Sequence, residues 1–442
     1  MRILNRRQLL SATGLSVSAL ALPQVLRARE SNGLAPAKQV IMILLQGGVP
    51  QLDTFDLKPE APSEYRGEFR PIATSIPGYS LCEHLPLFAQ NAHKFNFLRS
   101  VYHLTPSHEA GIHWVLTGYN YPIANTTTNN RNIRPGMGSV VAKLKGAAKP
   151  GLPPYVCIPD KGQLGDRVRY AGASYLGMAF DPFETQETPT NATSPFAVPP
   201  NLSLPAEIDL TRFDHRRQLL RDLDQLSSRL DASGAMTGVD TFNRKAYELL
   251  AHDSIRKAFD LADETPEMRL RYGSHRVGQQ ALLARRLAEA GVPFTLVNFS
   301  RNQEWDTHGQ NFKSLKERLL PTMEQAVTTL VNDLEERGLL DSTLVVVLSE
   351  FGRTPKINNT AGRDHWSDVF SIVMTGGGLK RGQVVGTSNP RGEIPQDRPV
   401  HYNEVYATIF HQMGIPLDAV LHDHEDRPIP ILYEGTPIPE IV

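Results

Sequence analysis

Carboxylate and imidazole side chains recur along the chain in combinations that could bind a divalent metal ion. Carboxylate oxygens and imidazole nitrogens together suit zinc, manganese or iron and, less well, calcium or magnesium. Such an ion can polarise the oxygen of an ester or generate hydroxide from water. The candidates are enough for one or two ions, and they are four carboxylates and two histidines: Asp53, Asp306, Glu350, Asp364, His308 and His365.

Spacing separates the candidates in the second half of the chain. Asp306 and His308 are two residues apart, so an extended segment places both on one face. Asp364 and His365 are adjacent and would diverge on a strand. Either a tight turn lets both bind the metal, or one of them orients the other from outside the coordination sphere. We favour His365 as the ligand.

A second polar cluster, between residues 103 and 113, could supply a nucleophile or a proton carrier. The hydroxyl of Thr105 or Ser107 could attack an ester if a metal ion or a base lowers its pKa. Ser107 could equally cap the helix that follows it. His108 could act as a base, a ligand or a contact to an anionic group, and Arg353 could hold the same group.

Ordinary structural roles remain open for the same side chains. An aspartate can cap a helix, and Glu350 and Arg353 can form a surface ion pair. His365 can be a loop histidine whose nitrogens are satisfied by hydrogen bonds. Most other histidines stand alone in the sequence, and we expect structural roles for them.

Short, almost continuously apolar runs predict strands that are buried on both faces. Helical periodicity between the later runs predicts a largely parallel sheet covered by helices on both faces, an α/β fold. The predicted strands are residues 39–46, 95–101, 155–158, 294–299, 343–348 and 370–374, and the clearest predicted helices are residues 279–290, 315–337 and 403–413.

Most of the candidate metal ligands follow predicted strands. Asp53 comes after the first strand, Asp306 and His308 after residues 294–299, and Glu350 after residues 343–348. Sites in open α/β sheets lie at the carboxyl ends of the strands. We therefore expect these side chains to meet at one edge of the sheet.

The N-terminal segment has the features of an export signal. A twin arginine precedes a short apolar stretch, residues 11–22, which favours twin-arginine export to the periplasm or the exterior. An ordinary secretory signal or an uncleaved anchor is the alternative. We assign residues 1–30 to the signal peptide and residues 36–442 to a single domain, with a loop and helical insertion at about 178–275. The mature protein is expected to have no membrane span.

Composition excludes some classes of function. The 442 residues include 46 basic and 47 acidic side chains, for a formal net charge of −1. A general nucleic-acid binder should show a basic excess, so nucleic acid is not an expected partner. Cys82 and Cys157 match no zinc or redox spacing, and two buried thiols are favoured over a disulfide.

Several motifs together resemble one known family. They are Leu45-Gln46-Gly47-Gly48, Asp53-Thr54-Phe55-Asp56, Gly67-Glu68-Phe69, Glu83-His84-Leu85-Pro86, Leu116-Thr117-Gly118, Trp305-Asp306-Thr307-His308, Ser349-Glu350-Phe351-Gly352-Arg353-Thr354-Pro355 and Gly362-Arg363-Asp364-His365-Trp366. The chain is similar in these motifs to the bacterial sulfatase-like domain-of-unknown-function family 1501, within the alkaline phosphatase superfamily. The last two motifs are the most specific.

The resemblance implies a mostly parallel sheet sandwiched between helices, and a metal site. Asp53, Asp306, His308 and His365 would be its ligands by similarity to the superfamily. Glu350 stands where many relatives carry a histidine or asparagine ligand. The chain departs from the sulfatase nucleophile motif, because no cysteine precedes Pro106-Ser107-His108 and a histidine replaces the usual arginine.

These patterns predict an exported metal-dependent hydrolase of phosphate or sulfate esters. A hydroxyl side chain or a metal-bound hydroxide would attack an anionic ester, such as one carried on a polysaccharide. The altered nucleophile motif favours an alternative, a catalytically degenerate sulfatase-like protein that binds anionic glycans or a surface partner. Phosphoglycan transfer or isomerisation at the same site is a weaker third alternative.

Overall fold

The computed structural model describes residues 37–120, 132–159, 170–185, 188–194, 253–300 and 303–442. The predicted signal peptide, residues 1–30, and much of the predicted insertion lie outside these ranges. Within the described ranges, no helix has both the length and the apolar character needed to cross a membrane.

One central sheet runs through the described part of the chain. In sequence order its strands are β1 (Gln39–Leu44), β2 (Asn96–Tyr102), β3 (Tyr155–Ile158), β4 (Phe183–Glu184), β5 (Phe294–Asn298), β6 (Thr343–Leu348), β7 (Phe370–Gly376), β8 (Val384–Val385) and β9 (Val400–His401). Their spatial order is β8-β2-β7-β6-β1-β5-β3-β4, and β9 also pairs with β2. The predicted strands are therefore all present, with ends that differ by one or two residues.

The sheet is mostly parallel, as predicted. β1 lies between β5 and β6 and is parallel to both. β7 runs antiparallel to its neighbours β6 and β2, which the sequence did not indicate. A strand buried on both faces has the same continuous apolar pattern whether it is parallel or antiparallel to its neighbours. The sequence pattern therefore does not indicate the direction of the strand.

Helices cover both faces of the sheet. The longer ones are α1 (His108–Thr117), α2 (Met137–Lys145), α3 (Arg276–Ala290), α4 (Leu320–Glu336) and α5 (Tyr402–Gln412). Alternate side chains of β1 enter two separate cores, because successive strand residues point to opposite faces. Ile41 and Ile43 join the core under α3 and α4, whereas Val40 and Met42 join the core under α1, α2 and α5.

Shorter helical segments connect these elements. They are Ser63–Arg66, Pro86–Gln90, Asp253–Phe259, Pro266–Arg271 and Asn311–Ser314. The last of these leads through a π-helical turn, Leu315–Leu319, directly into α4, so the predicted helix at 315–337 begins earlier than its pattern indicated.

The two cysteines are buried and free, which confirms the prediction of two buried thiols. Burial raises the pKa of Cys82 to about 12. Such a thiol stays protonated at neutral pH and is a poor nucleophile or metal ligand.

Candidate metal centre

The end of β1 is in direct contact with the loops that follow β5 and β6. Gly47 has a φ of +123°, and a Cβ there would lie 2.2 Å from the backbone nitrogen of Asp306. Only glycine tolerates both the angle and the close approach. The Gly47 N–H donates to Glu350 Oε1 at 2.7 Å. The glycine after the central strand thus allows the two later loops to meet at the carboxyl edge of the sheet.

Three of the predicted ligands converge at this edge. Asp306 Oδ1 lies 3.1 Å from Nε2 of His308 and 3.1 Å from Nε2 of His365. The two Nε2 atoms are 3.0 Å apart. A short antiparallel pair, Gly352–Arg353 with His365–Trp366, brings His365 to this position. We call these three side chains the Asp306 cluster.

The second ring nitrogen of each histidine already has an acceptor. His308 Nδ1 donates to Asp364 Oδ1 at 2.6 Å, and His365 Nδ1 donates to the Pro106 carbonyl at 3.0 Å. Both Nε2 atoms are then left as acceptors that face each other and the Asp306 carboxylate, which a shared cation would satisfy. Ligand atoms bound to one ion at about 2.1 Å lie about 3.0–3.4 Å apart, so the cluster fits a divalent ion.

The hydrogen bonds of Asp364 are those of a residue that orients a histidine. Its carboxylate orients His308 rather than His365, and it also accepts a hydrogen bond from Asn358 at 3.3 Å. The hydrogen bond from His308 lowers the pKa of Asp364, despite some burial. A carboxylate behind a histidine ligand fixes the ring and raises its basicity.

Arg353 holds Asp306 in place from the protein interior. Its guanidinium is fully buried and donates to Asp306 Oδ1 and to the carbonyls of Gly47, Gly48 and Trp305. Burial lowers the pKa of Arg353, although Asp306 opposes the change. We expected Arg353 to hold an anionic ester, but a side chain with no exposure cannot reach one. The structure instead gives it a positioning role.

Hydrogen bonds keep the Asp306 carboxylate ionised. Burial alone would raise the pKa of Asp306, but hydrogen bonds from His108, His365 and Arg353 outweigh it and hold the pKa well below its usual range. The carboxylate is therefore available as an anionic ligand at any physiological pH.

His108 faces the Asp306 cluster with Glu350 behind it. His108 Nδ1 donates to Glu350 Oε1 at 2.7 Å, and its Nε2 lies 3.4 Å from Asp306 Oδ2. The ligand atoms of His108, Asp306 and His365 all lie within 4.8 Å of one another. Glu350 was predicted as a metal ligand; its Oε1 accepts hydrogen bonds from His108 and Gly47, whereas its buried Oε2 has no hydrogen-bond partner among the described residues, so that role stays a prediction. Glu350 orients His108 as Asp364 orients His308.

Charge and burial act in opposite directions on His108. Burial disfavours its charged form, but hydrogen bonds to Asp306 and Glu350 and their negative charges outweigh this and raise its pKa to about 9. A cation bound in the Asp306 cluster would lower the pKa of His108 again, because its positive charge would disfavour the protonated ring.

Asp53 is not in the group of described side chains that could share an ion with Asp306. Its carboxylate is fully buried and forms a two-pronged ion pair with Arg363, with Nε–Oδ2 at 2.7 Å and Nη2–Oδ1 at 2.9 Å. Asn311 Nδ2 also donates to it, at 2.8 Å. We predicted Asp53 as a ligand from its position after the first strand. Its oxygens are instead occupied by Arg363, which fixes the loop that carries Asp364 and His365.

Neither candidate hydroxyl is directed at the cluster. Ser107 Oγ donates to Glu109 Oε2 at 3.2 Å, and Thr105 Oγ1 donates to Asn120 Oδ1 at 3.4 Å. Ser107 does occupy the N-cap position of α1, but its side chain makes no capping hydrogen bond. Both residues thus flank the site without a hydrogen bond to its described members.

Sequence reasoning missed the residues that support the cluster. Arg363 was visible within the Gly362–Trp366 motif, but its partner Asp53 is 310 positions away, and no local pattern reveals such a pair. Asn311 had no signal at all. The clue that could have been used is Gly47, because a glycine directly after a buried strand often marks a close approach of another backbone.

Together these features define an α/β protein with a carboxylate–histidine cluster at the carboxyl edge of a mostly parallel sheet. Residues 37–442 match the family described as "Protein of unknown function (DUF1501)". The chain belongs to this family, as its motifs predicted. No curated protein sequence matches the chain.

Solved structures similar to this chain include an alkaline phosphatase and a sulfatase. An alkaline phosphatase from the Antarctic bacterium TAB5 is 9% identical, with 87% of this chain and 100% of that one covered, at a TM-score of 0.37. The PsFucS1 sulfatase from Pseudoalteromonas sp. is 13% identical, with 90% and 71% covered, at 0.37. Ps i-CgsB in complex with k-i-k-neocarrahexaose is 12% identical, with 86% and 72% covered, at 0.41.

Proposed function

We propose that this protein is an exported, metal-dependent hydrolase of phosphate or sulfate esters. The observation that carries the proposal is the triangle of acceptor atoms in the Asp306 cluster, with edges of 3.0 and 3.1 Å. Asp306, His308 and His365 would hold one divalent ion, with zinc or manganese favoured by the two imidazoles. When bound, the ion would polarise an oxygen of the ester and offset its negative charge.

The protein's own residues would orient the ester and manage the proton. His108 is the remaining basic group that faces the cluster, and Glu350 fixes its ring through Nδ1. In the proposed reaction, His108 Nε2 accepts a proton from the attacking group or returns it to the leaving oxygen. Arg353 and Asp364 hold the proposed ligands in position, and neither would contact the ester.

We infer that water, rather than a side-chain hydroxyl, is the attacking group. The hydrogen bonds of Ser107 and Thr105 to Glu109 and Asn120 support this choice. Ser107→Ala and Thr105→Ala should each retain most of the activity. A loss of activity by several orders of magnitude in one of them would identify it as a nucleophile instead.

Export is part of the proposal and is supported by the twin arginine of the leader, Arg6 and Arg7. Twin-arginine export carries folded proteins, which suits a metal loaded before transport. Changing both arginines to lysine should retain the protein in the cytoplasm, and unchanged export would refute this route.

The function is tested on protein recovered from its native exported location. Elemental analysis should find about one divalent ion per chain, and the metal-loaded protein should turn over an aryl phosphate or an aryl sulfate. His365→Ala should lose both the metal and the activity. The matched control is His93→Ala, an exposed histidine whose described partner, Ser75, lies outside the site. Metal-free wild-type protein with full activity would refute the proposal.

A non-catalytic relative that binds anionic glycans is the second candidate. The observation in its favour is that neither hydroxyl at the position of the sulfatase nucleophile contacts the described members of the cluster. Metal-loaded protein that binds anionic glycans but turns over neither ester would support it.

A further inference from the structure

A short strand pair carries two of the residues that contact Asp306. In this pair Gly352–Arg353 runs antiparallel to His365–Trp366, and Arg353 lies directly opposite His365. Side chains of directly opposed residues lie on the same face of an antiparallel pair. The guanidinium of Arg353 and Nε2 of His365 accordingly both reach Asp306 Oδ1, the latter at 3.1 Å. The geometry of the Asp306 cluster therefore depends on where the short strand pair lies.

The short strand pair needs support from outside. Each strand has two residues, and the pair forms a sheet separate from the central one. The Thr354 N–H donates to the Asp364 carbonyl at 2.8 Å. In an antiparallel ladder, this bond makes Arg353 and His365 an opposed pair with no backbone hydrogen bonds to each other. The N–H and C=O of Arg353 therefore point to the outer edge, where no described strand continues this sheet.

The side chain of Gln51 occupies this outer edge. Gln51 and Arg353 are both fully buried. Gln51 Oε1 accepts the Arg353 N–H at 3.0 Å, and Gln51 Nε2 donates to the Arg353 carbonyl, also at 3.0 Å. A carboxamide carries an acceptor and a donor side by side, so it pairs with both backbone groups of one residue as a neighbouring strand would. Without Gln51, two buried backbone groups would lose their partner.

Gly352 leaves the space that this contact requires. A Cβ at Gly352 would lie closer than 3.0 Å to Gln51 Oε1 and to the Val369 carbonyl. Side-chain carbon atoms do not approach other atoms that closely, so a larger residue would displace either the Gln51 side chain or the short strand pair. The glycine of one sequence motif is thus fitted to the glutamine of another.

We propose that Gln51 is a positioning residue of the metal centre. Gln51 fixes the short strand pair through the backbone of Arg353, and the pair sets where His365 and the Arg353 guanidinium meet Asp306. This inference rests on the proposed function, because it gives Gln51 a part in the metal binding proposed for the Asp306 cluster. Gln51 has no exposure, so it would contact neither the ion nor the ester.

Metal affinity tests this role without requiring turnover. Gln51→Met keeps the approximate size of the side chain and removes both hydrogen bonds to Arg353, so His365 should shift relative to Asp306 and His308. We expect the Kd for Zn²⁺, measured by competition with a chelator, to rise about tenfold. The absorption spectrum of bound Co²⁺ should also change, because it depends on the arrangement of the ligands.

A second variant at the same position separates the hydrogen bonds from the fold. Gln51→Glu keeps an oxygen that accepts the Arg353 N–H but loses the donor to the Arg353 carbonyl. It should also raise the Kd for Zn²⁺ and change the Co²⁺ spectrum. It tests the role of Gln51 even where Gln51→Met fails to fold.

The matched control is Gln279→Met. Gln279 is also fully buried, and its Oε1 accepts from Arg269 Nε at 3.0 Å. Its Nε2 donates to the carbonyls of Arg269 and Gly273 at 2.8 and 3.0 Å. Gln279→Met and Gln51→Met should both lower the urea midpoint of unfolding, because each removes buried hydrogen bonds. Only Gln51→Met should change the Zn²⁺ Kd and the Co²⁺ spectrum.

The outcomes separate this inference from the proposed function. If wild type binds one Zn²⁺ and both Gln51 variants keep its Kd and its Co²⁺ spectrum, the positioning role is overturned and the proposed function stands. An equal rise in Kd in Gln51→Met and Gln279→Met also overturns it, since lost stability would then be the cause. Wild-type protein that binds no divalent ion refutes the proposed function, and the role of Gln51 with it.

Discussion

The two histidines proposed as ligands differ in how they are supported, and this difference can be measured. Asp364 accepts the Nδ1 proton of His308 at 2.6 Å, whereas a backbone carbonyl serves His365. Asp364→Ala removes a charged partner from a half-exposed position, so folding should be retained. We expect metal affinity to fall by about 10- to 100-fold, measured by competition with a chelator.

The control for this change is Asp341→Ala. Asp341 is 87% exposed and pairs with Arg381 at the surface. Its removal should leave metal affinity unchanged. Equal affinities in Asp364→Ala and the wild type would show that His308 is not a ligand.

At the level of residues, the sequence predicted the three side chains that meet in the Asp306 cluster but not the partners of Asp53 and Glu350. Residue type and position after a strand are the same for a ligand and for a residue that supports one. The two kinds of residue differ in their buried partners. Arg363 donates hydrogen bonds to both carboxylate oxygens of Asp53, and His108 donates to one oxygen of Glu350. Such pairs join residues 242 and 310 positions apart.

At the level of elements, α4 and the Pro86–Gln90 helix share an unusual contact. Glu324 on α4 is 4% exposed and accepts a hydrogen bond from the Phe88 N–H at 2.8 Å. Burial raises the pKa of Glu324 to about 7, although the N–H groups of Phe88 and Leu87 oppose the change. The folded protein thus keeps a proton that the unfolded chain releases near the ordinary glutamate pKa of 4.5.

This contact should make stability depend on pH. Because the pKa is higher in the folded state, the stabilisation is fully present below about pH 4.5 and is lost as the pH rises through 7. Glu324→Gln mimics the protonated form, so it should be about 3 kcal/mol more stable than wild type at pH 8 and nearly equal at pH 4.5. Urea unfolding across this range measures the difference. Parallel curves for the two proteins would contradict the assignment.

Elements were predicted well where the apolar pattern had clear ends. β3 and β6 begin and end at the predicted residues, and β1 differs only because Leu45 and Gln46 leave the sheet. The antiparallel direction of β7 and the start of the helix at Asn311 were not predicted. Both depend on neighbours in space, since the pairing partner fixes the direction of a strand and Asn311 is held by its contact with Asp53.

At the level of the whole molecule, the pair formed by Asp53 and Arg363 joins the first loop of the sheet to one of the last. Both side chains are fully buried. Asp53→Ala leaves an unpaired buried guanidinium, so it should lower the free energy of unfolding by about 3–5 kcal/mol, measured by urea unfolding.

The comparison for this change is Glu336→Ala, which breaks an exposed pair with Arg271. It should cost less than about 1 kcal/mol. If Asp53→Ala instead lost its metal and kept its full stability, Asp53 would be a ligand after all.

The central position of β1 has a consequence for synthesis of the chain. Both strands that border it, β5 and β6, emerge from the ribosome more than 250 residues later. Until then this apolar strand of the nascent protein has two unpaired edges, and such edges promote aggregation. We therefore expect the nascent chain to be most prone to aggregation in the interval before β6 appears.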